Sequence, residues 1–134
     1  MSFRLHLIIN LSSPREADFV LRHPIGQHMR DIHWRKAAKD RPRAASDERA
    51  WAMVTFEPSV REGFACIDEL RKVQPHIGVV VSGIRLSGTE RAHLFDLGAD
   101  LIGGDDAGPE ELMAMMEAVI GRLSRRPGPA LICI

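Results

Sequence analysis

In the last third of the chain, the side chains that could do chemistry follow two short apolar runs. Ser82 ends the run 79–82, and Asp105 and Asp106 follow Leu101-Ile102 after two glycines. In α/β folds the loops after the strands carry the functional groups, so these residues are the first candidates for a site. Ser82 lacks an identifiable histidine and acid relay, so a hydrolase is not predicted. Two acids follow the glycines, which disfavours a phosphate-binding loop.

Three histidines form a second set of candidates. His23, His28 and His33 are spaced five residues apart, and a metal or heme site could use such side chains. A spacing of five does not align residues on one helix face, and Pro24 and Gly26 interrupt any helix there. Exposed or capping histidines are therefore the favoured interpretation, and no metal site is predicted.

Length and composition indicate one globular domain. The chain has 134 residues, of which 45% are hydrophobic, and its formal net charge is zero. It is long enough to bury a core, and without a strong field no direct nucleic-acid binding is expected. It has neither an apolar run of membrane-spanning length nor the apolar core of a signal peptide, so no membrane association is expected. Cys66 and Cys133 form no disulfide framework, and a reduced, cytoplasmic protein is the expectation.

Charge is distributed unevenly along this neutral chain. Residues 30–49 are rich in arginine and lysine, whereas residues 96–117 contain seven acids and neither arginine nor lysine. Two solvated surfaces of opposite sign are the simpler interpretation. Docking of a partner through these surfaces is the alternative.

Hydrophobic patterning predicts strands that alternate with helices. The predicted strands are 3–10, 31–37, 48–56, 77–82 and 101–102, and the predicted helices are 15–22, 63–73, 89–97 and 109–123. This alternation predicts an α/β fold, a flavodoxin-like doubly wound parallel five-stranded sheet of order 2-1-3-4-5 in a three-layer sandwich. One domain is expected over residues 1–126, with a C-terminal tail at 127–134.

Short motifs in the second half resemble the receiver domain of bacterial two-component response regulators. They are Gly63-Phe64, Val81-Ser82-Gly83, Gly98-Ala99-Asp100 and Pro109-Glu110-Glu111-Leu112. The similarity covers about residues 51–125, and the first fifty residues match only in layout. In that family an acidic pair binds Mg²⁺, an aspartate accepts the phosphoryl group, and a hydroxyl and a lysine hold the phosphate oxygens.

The residues at the receiver site positions differ from those that the family uses. The resemblance places Asn10 at the acidic pair, Thr55 at the phosphoacceptor and Asp105 at the lysine, and Ser82 alone fits. Such a site should repel phosphate. Glu57, two residues past the acceptor position, is interpreted as a solvated loop side chain. The resemblance therefore implies a pseudo-receiver that is not an enzyme and needs no cofactor.

The resemblance also implies a partner surface. Receivers signal through the fourth helix, fifth strand and fifth helix, which correspond here to the region between Thr89 and Leu123. The implied function is a phosphorylation-independent signalling module that binds a protein partner or forms a homodimer. The candidate interface residues are Leu94, Ile102, Leu112 and Met116.

Two alternatives remain open. Cobalamin-binding domains and related heme sensors share the expected fold, and residues 98–107 resemble one of their loops. Asp31-Ile32-His33 partly matches their axial-ligand motif, so a sensor of a tetrapyrrole or similar small ligand is the alternative function. The other is a truncated regulator without its DNA-binding output domain, because Arg125-Arg126-Pro127 resembles the start of a receiver-to-output linker.

Overall fold

The predicted strands and helices form near their predicted positions in the described part of the chain. The computed structural model describes residues 3–35, 50–74, 76–83 and 85–125, without the side chain of Arg125. The elements in this part are β1 (Arg4–Asn10), α1 (Pro14–Arg22), a 3₁₀ helix (Pro24–His28), β2 (Met29–Trp34), β3 (Trp51–Phe56), α2 (Val60–Val73), β4 (Gly78–Ser82), α3 (Gly88–Leu97), β5 (Leu101–Ile102) and α4 (Pro109–Arg125). The predicted tail, Cys133 and residues 36–49 of the basic segment lie outside the described residues.

The sheet is mixed, and the predicted parallel flavodoxin-like order 2-1-3-4-5 is wrong. The order is β2-β3-β1-β4-β5. β1 runs antiparallel to both of its neighbours, β2 is antiparallel to β3, and β4 pairs with β5 in parallel. A hydrophobic pattern reports which faces of a strand are buried but not its direction. Because β1 is buried along most of its length on both faces, it resembles a strand of a parallel sheet.

Helices lie on both sides of the sheet and divide the interior into two cores. α1, α2 and α3 pack on one side, termed the α2 face, whose core includes Leu5 and Val81. α4 packs on the other side, termed the α4 face, whose core includes Ile8 and Val80. Successive residues of a strand point to opposite faces, so β1 and β4 contribute to both cores.

The helix ends follow local sequence signals. Ser59 and Ser87 begin α2 and α3 with capping boxes, in which each serine oxygen accepts the N–H of a glutamate three residues later. α3 ends at Gly98, whose φ of 116° lies in the left-handed region that favours glycine. The chain can therefore turn directly from α3 into β5.

α4 is amphipathic rather than uniformly apolar. It has 17 residues, buries Met116 and Val119 against the sheet and exposes Glu110 and Glu111 in its first turn. Acidic side chains there suit the positive end of the helix dipole. Neither α4 nor any other helix in the described ranges is long and apolar enough to cross a membrane.

Gly78 is a point at which α4 closely approaches the sheet. A Cβ atom at Gly78 would lie 2.5 Å from Cγ1 of Val119 and 3.0 Å from Cβ of Ile8. Both neighbours are buried, so the added methyl group must displace packed side chains, and such overpacking costs about 1–3 kcal/mol. We expect Gly78→Ala to lower the free energy of unfolding, measured in urea, by about 2 kcal/mol.

Gly88→Ala is the matched control for this prediction. Nothing lies within 4 Å of a Cβ atom placed at Gly88, in the first turn of α3. Alanine there should leave stability unchanged or raise it slightly, because it restricts the unfolded chain. Equal losses in the two variants would contradict the close approach of α4 at Gly78.

Candidate functional site at the rim of the sheet

The direction of β1 decides which side chains meet at one edge of the sheet. β3, β4 and β5 end at this edge, whereas β1 and β2 begin there. The edge, termed the rim, is formed by Arg4, Arg30, Thr55, Glu57 and Ser82. Cationic side chains from the strand starts therefore lie beside hydroxyl groups from the strand ends.

The side chain of His6 in β1 lies at the centre of the rim. Its Nδ1 lies 2.8 Å from Oγ1 of Thr55, and its Nε2 lies 2.7 Å from Oγ of Ser82. All three residues are buried. A neutral imidazole has one donor and one acceptor nitrogen, and a hydroxyl can serve as either, so both ring nitrogens are satisfied. The row Thr55-His6-Ser82 connects β3, β1 and β4.

Burial determines the charge of His6. Removal from water disfavours the protonated ring, and the nearby positive charges of Arg4 and His33 act in the same direction. Together they lower the pKa of His6 from 6.5 to about 4. The ring is therefore uncharged at neutral pH.

A cavity of about 290 Å³ opens beside this row. It is termed the rim cavity and is lined by Arg4, His6, Arg30, Asp31, His33, Thr55, Glu57 and Leu112. The volume lies at the lower end of the range for small-molecule pockets. The cavity therefore has room for a small ligand, and the tetrapyrrole sensor stays a prediction.

Two guanidinium groups hold Glu57 at the cavity wall. Nε of Arg4 donates to Oε2 of Glu57 at 3.0 Å, and Nε of Arg30 donates to Oε1 at 3.3 Å. Glu57, interpreted from the sequence as a solvated loop side chain, is thus a partly buried ion-pair partner. With Asp31, the cavity lining holds two arginines and two carboxylates.

Basic and acidic groups both lie near the cavity floor. Arg4 and His33 both lower the pKa of His6, which is how a base responds to neighbouring positive charge. Asp31 offsets part of this field, but it is exposed and its Oδ2 lies 3.0 Å from Nε2 of His33. Among the lining residues, Arg4 and Arg30 are the cations that could contact an anion.

Three of the four receiver-like positions, Thr55, Ser82 and Asp105, lie at the edge of the sheet that forms the rim. Thr55 and Ser82 are brought together, but through His6 rather than around a phosphoryl group. Asp105 follows β5 at the same edge, where its carboxylate lies 3.3 Å from Nε of the exposed Arg85. No aspartate stands at the end of β3, as the sequence already indicates.

The fourth position, Asn10, lies at the opposite end of the sheet. β1 is antiparallel to β3 and β4, so its last residue is remote from theirs. The Asn10 side-chain oxygen accepts the N–H of Ser12, and the backbone N–H of Asn10 donates to Oε1 of Glu16 at 2.8 Å. Burial raises the pKa of Glu16. Asn10 therefore shapes the turn into α1 and takes no part in the rim.

The side chains predicted as an interface lie inside the protein or against its core. Leu94 belongs to the core on the α2 face, and Leu112 and Met116 belong to the core on the α4 face. Ile102 is half-buried against the first of these cores. Buried side chains offer little to a partner, so a homodimer through this region would need other contacts and stays a prediction.

The three evenly spaced histidines each contact a different carboxylate. The pairs are His23 with Glu69 at 2.7 Å, His28 with Glu62 at 3.3 Å and His33 with Asp31 at 3.0 Å. His23 also accepts the N–H of Ile25 and so caps the 3₁₀ helix. Within the described residues, no group of three or more acids, histidines and cysteines could hold a metal ion.

Sequence reasoning missed Arg4, His6 and Arg30 as site residues. A signal for His6 was present, because a titratable side chain in the middle of a buried strand needs hydrogen-bond partners on its neighbours. Arg4 carries no comparable signal, because its position at the rim depends on the direction of β1.

Comparison with models of protein families, with curated proteins and with solved structures finds no match for this chain. Its function must therefore be inferred from the geometry of the rim.

The depressed pKa of His6 predicts a loss of stability in mild acid. Below pH 6.5 the unfolded chain protonates this residue, whereas the folded protein resists protonation down to about pH 4. The stabilisation is complete above pH 6.5 and is lost between pH 6.5 and 4. The total is roughly 3 kcal/mol, because each pKa unit corresponds to about 1.4 kcal/mol. Urea unfolding across this range measures it.

His6→Gln is the control, because glutamine can donate and accept hydrogen bonds but does not titrate. The variant should be less stable at pH 7 and should lose less stability on acidification than the natural protein. Parallel pH profiles for the two proteins would show that His6 is not the group responsible.

Proposed function

We propose that this protein is a binding module that captures a small oxyanion, a carboxylate or phosphate group, in the rim cavity. The observation that carries the proposal is that two arginines, Arg4 and Arg30, both donate hydrogen bonds to the single carboxylate of Glu57. This arrangement places two guanidinium groups at the wall of the rim cavity.

Arg4 retains guanidinium donors for a ligand, whereas Nη1 of Arg30 also donates to the carbonyl of Met29 at 3.5 Å. Arg4 reaches Glu57 through Nε, and among the described residues its terminal amino groups have no hydrogen-bond partner. Guanidinium groups present a planar fork that matches a carboxylate or phosphate. A bound oxyanion would therefore share Arg4 and Arg30 with Glu57.

The floor of the cavity offers a further donor. If Ser82 donates to Nε2 of His6, then Nδ1 donates to Thr55, and the Thr55 hydroxyl hydrogen is free to point into the cavity. Both heavy-atom distances are short enough for this chain of hydrogen bonds. An anion beside Thr55 favours this direction because it attracts the hydroxyl hydrogen.

Binding fits the rim better than catalysis. The Oγ of Ser82 is fully buried and bonded to His6, so it is not exposed to a substrate. A histidine with a pKa of about 4 is a weak general base at neutral pH. The site therefore has the elements of recognition without an accessible activated nucleophile.

A regulatory role follows if occupancy of the cavity is what the protein reports. A ligand at the rim contacts β1, β2 and β3 together and stabilises their arrangement. Signalling without phosphorylation, which the receiver resemblance implies, is compatible with this mode of action. The receiver fold itself is not part of the proposal, because β1 is reversed.

Thermal unfolding tests the proposal. Sodium phosphate, sulfate and acetate are compared with sodium chloride at equal ionic strength. A ligand at a hundred times its Kd stabilises the folded state by about 2.7 kcal/mol, which raises Tm by several degrees. We expect at least one oxyanion to raise Tm beyond the chloride control, and Arg4→Gln with Arg30→Gln to abolish the increase.

Two further variants sharpen the result. Glu57→Gln removes the internal carboxylate that competes for the arginines, so it should increase the shift caused by the oxyanion. Arg22→Gln is the matched control, because Arg22 is an exposed arginine on α1 that pairs with Asp18 away from the cavity. No shift with any oxyanion, or equal loss in the Arg22 variant, would refute rim binding.

A further inference from the structure

We infer that the outer edge of β2 pairs with β2 of a second copy of this chain, antiparallel about a two-fold axis at Ile32. β2 is an edge strand, and no strand in the described ranges pairs with its outer side. It also exposes three large apolar side chains, with Met29, Ile32 and Trp34 exposed by 46%, 38% and 59%. An apolar strand with an open edge is a template for a further strand.

The backbone of Ile32 faces the open edge. The N–H of Arg35 donates to the carbonyl of Trp51 in β3 at 3.1 Å, and alternate residues of an antiparallel strand bond to the same neighbour. Asp31 and His33 therefore face β3, and Ile32 faces away. In agreement, the Ile32 N–H donates to the Asp31 carboxylate at 2.8 Å and not to a strand.

A second copy is the occupant that fits because the strand carries its own hydrogen-bonding complement, an acid and a histidine placed symmetrically about Ile32. Asp31 and His33 flank Ile32 on either side. With Ile32 opposite Ile32, each Asp31 lies opposite His33 of the other copy. These are non-hydrogen-bonded positions, where side chains on adjacent strands approach most closely. The Ile32 N–H passes to a backbone carbonyl of the second copy. Each Asp31 exchanges its contact with His33 of its own chain for the equivalent contact with His33 of the other copy.

The two faces of the paired strands differ in character. Ile32 lies opposite Val54 and Trp34 opposite Ala52, so both apolar side chains extend the α2 face. His33 lies opposite Met53 on the α4 face. Pairing therefore covers apolar surface on one side of the sheet and joins acids to histidines on the other.

Sedimentation equilibrium over a range of protein concentrations tests this pairing. We expect a dimer for the natural chain and a dimer constant weakened about tenfold or more by Ile32→Lys, because the axis places the two lysines opposite each other. Leu21→Lys is the matched control, since Leu21 is an exposed leucine on α1 (82%). That variant should dimerise like the natural chain.

Charge exchange gives an independent measurement. Asp31→His and His33→Asp should each weaken the homodimer, and an equimolar mixture should restore dimers, because every cross-strand pair is again an acid with a histidine. Ile32 lies on the face opposite the rim cavity, so Ile32→Lys separates this inference from oxyanion binding.

Several results would overturn the inference. A monomer at every concentration would do so, as would a dimer that survives Ile32→Lys. Slow hydrogen exchange of the Ile32 amide in a monomer would show instead that the chain covers its own edge.

Discussion

The hydrogen bonds of one buried imidazole constrain the three central strands. His6 lies between β3 and β4, and an unsatisfied polar group at such a site costs about 1–3 kcal/mol. Thr55 and Ser82 satisfy both ring nitrogens. A shift of β1 by one residue would turn His6 towards the apolar core of the α2 face, away from both hydroxyls. The row therefore fixes the register of β1 and also satisfies its polar side chain.

The direction of β1 gives the rim its chemistry. A parallel β1 would bring Asn10 to the ends of β3 and β4, and that edge would lack the arginine of β1. The antiparallel β1 brings Arg4 to this edge instead. β2 adds Arg30, the second residue of that strand. Glu57, at the end of β3, then meets two cations. Strand order alone therefore brings two arginines from different strands to one carboxylate.

The sequence contains most of the local structure and little of the topology. Helix α2 could be predicted from its apolar stripe, and the short β5 could be predicted from its position between Gly98 and two glycines. The strand order could not be predicted. The connection from β3 through α2 to β4 leaves room for one strand between β3 and β4, and β1 occupies that position. No local sequence signal marks it. Thr55 and Ser82 could be expected at one edge of the sheet. His6, which joins them, lies on β1, and the hydrophobic pattern does not report the direction of β1.

Glu57 positions both arginines before any ligand binds. Two unpaired guanidinium groups would repel each other and move into solvent, and ordering them again would oppose binding. The internal carboxylate holds both in place, so less side-chain entropy is lost when a ligand binds. The same carboxylate competes with the ligand, because an entering oxyanion must share or displace it. Preorganisation and competition thus act in opposite directions at one residue, and the rim is suited to reversible, moderate affinity rather than to permanent occupancy.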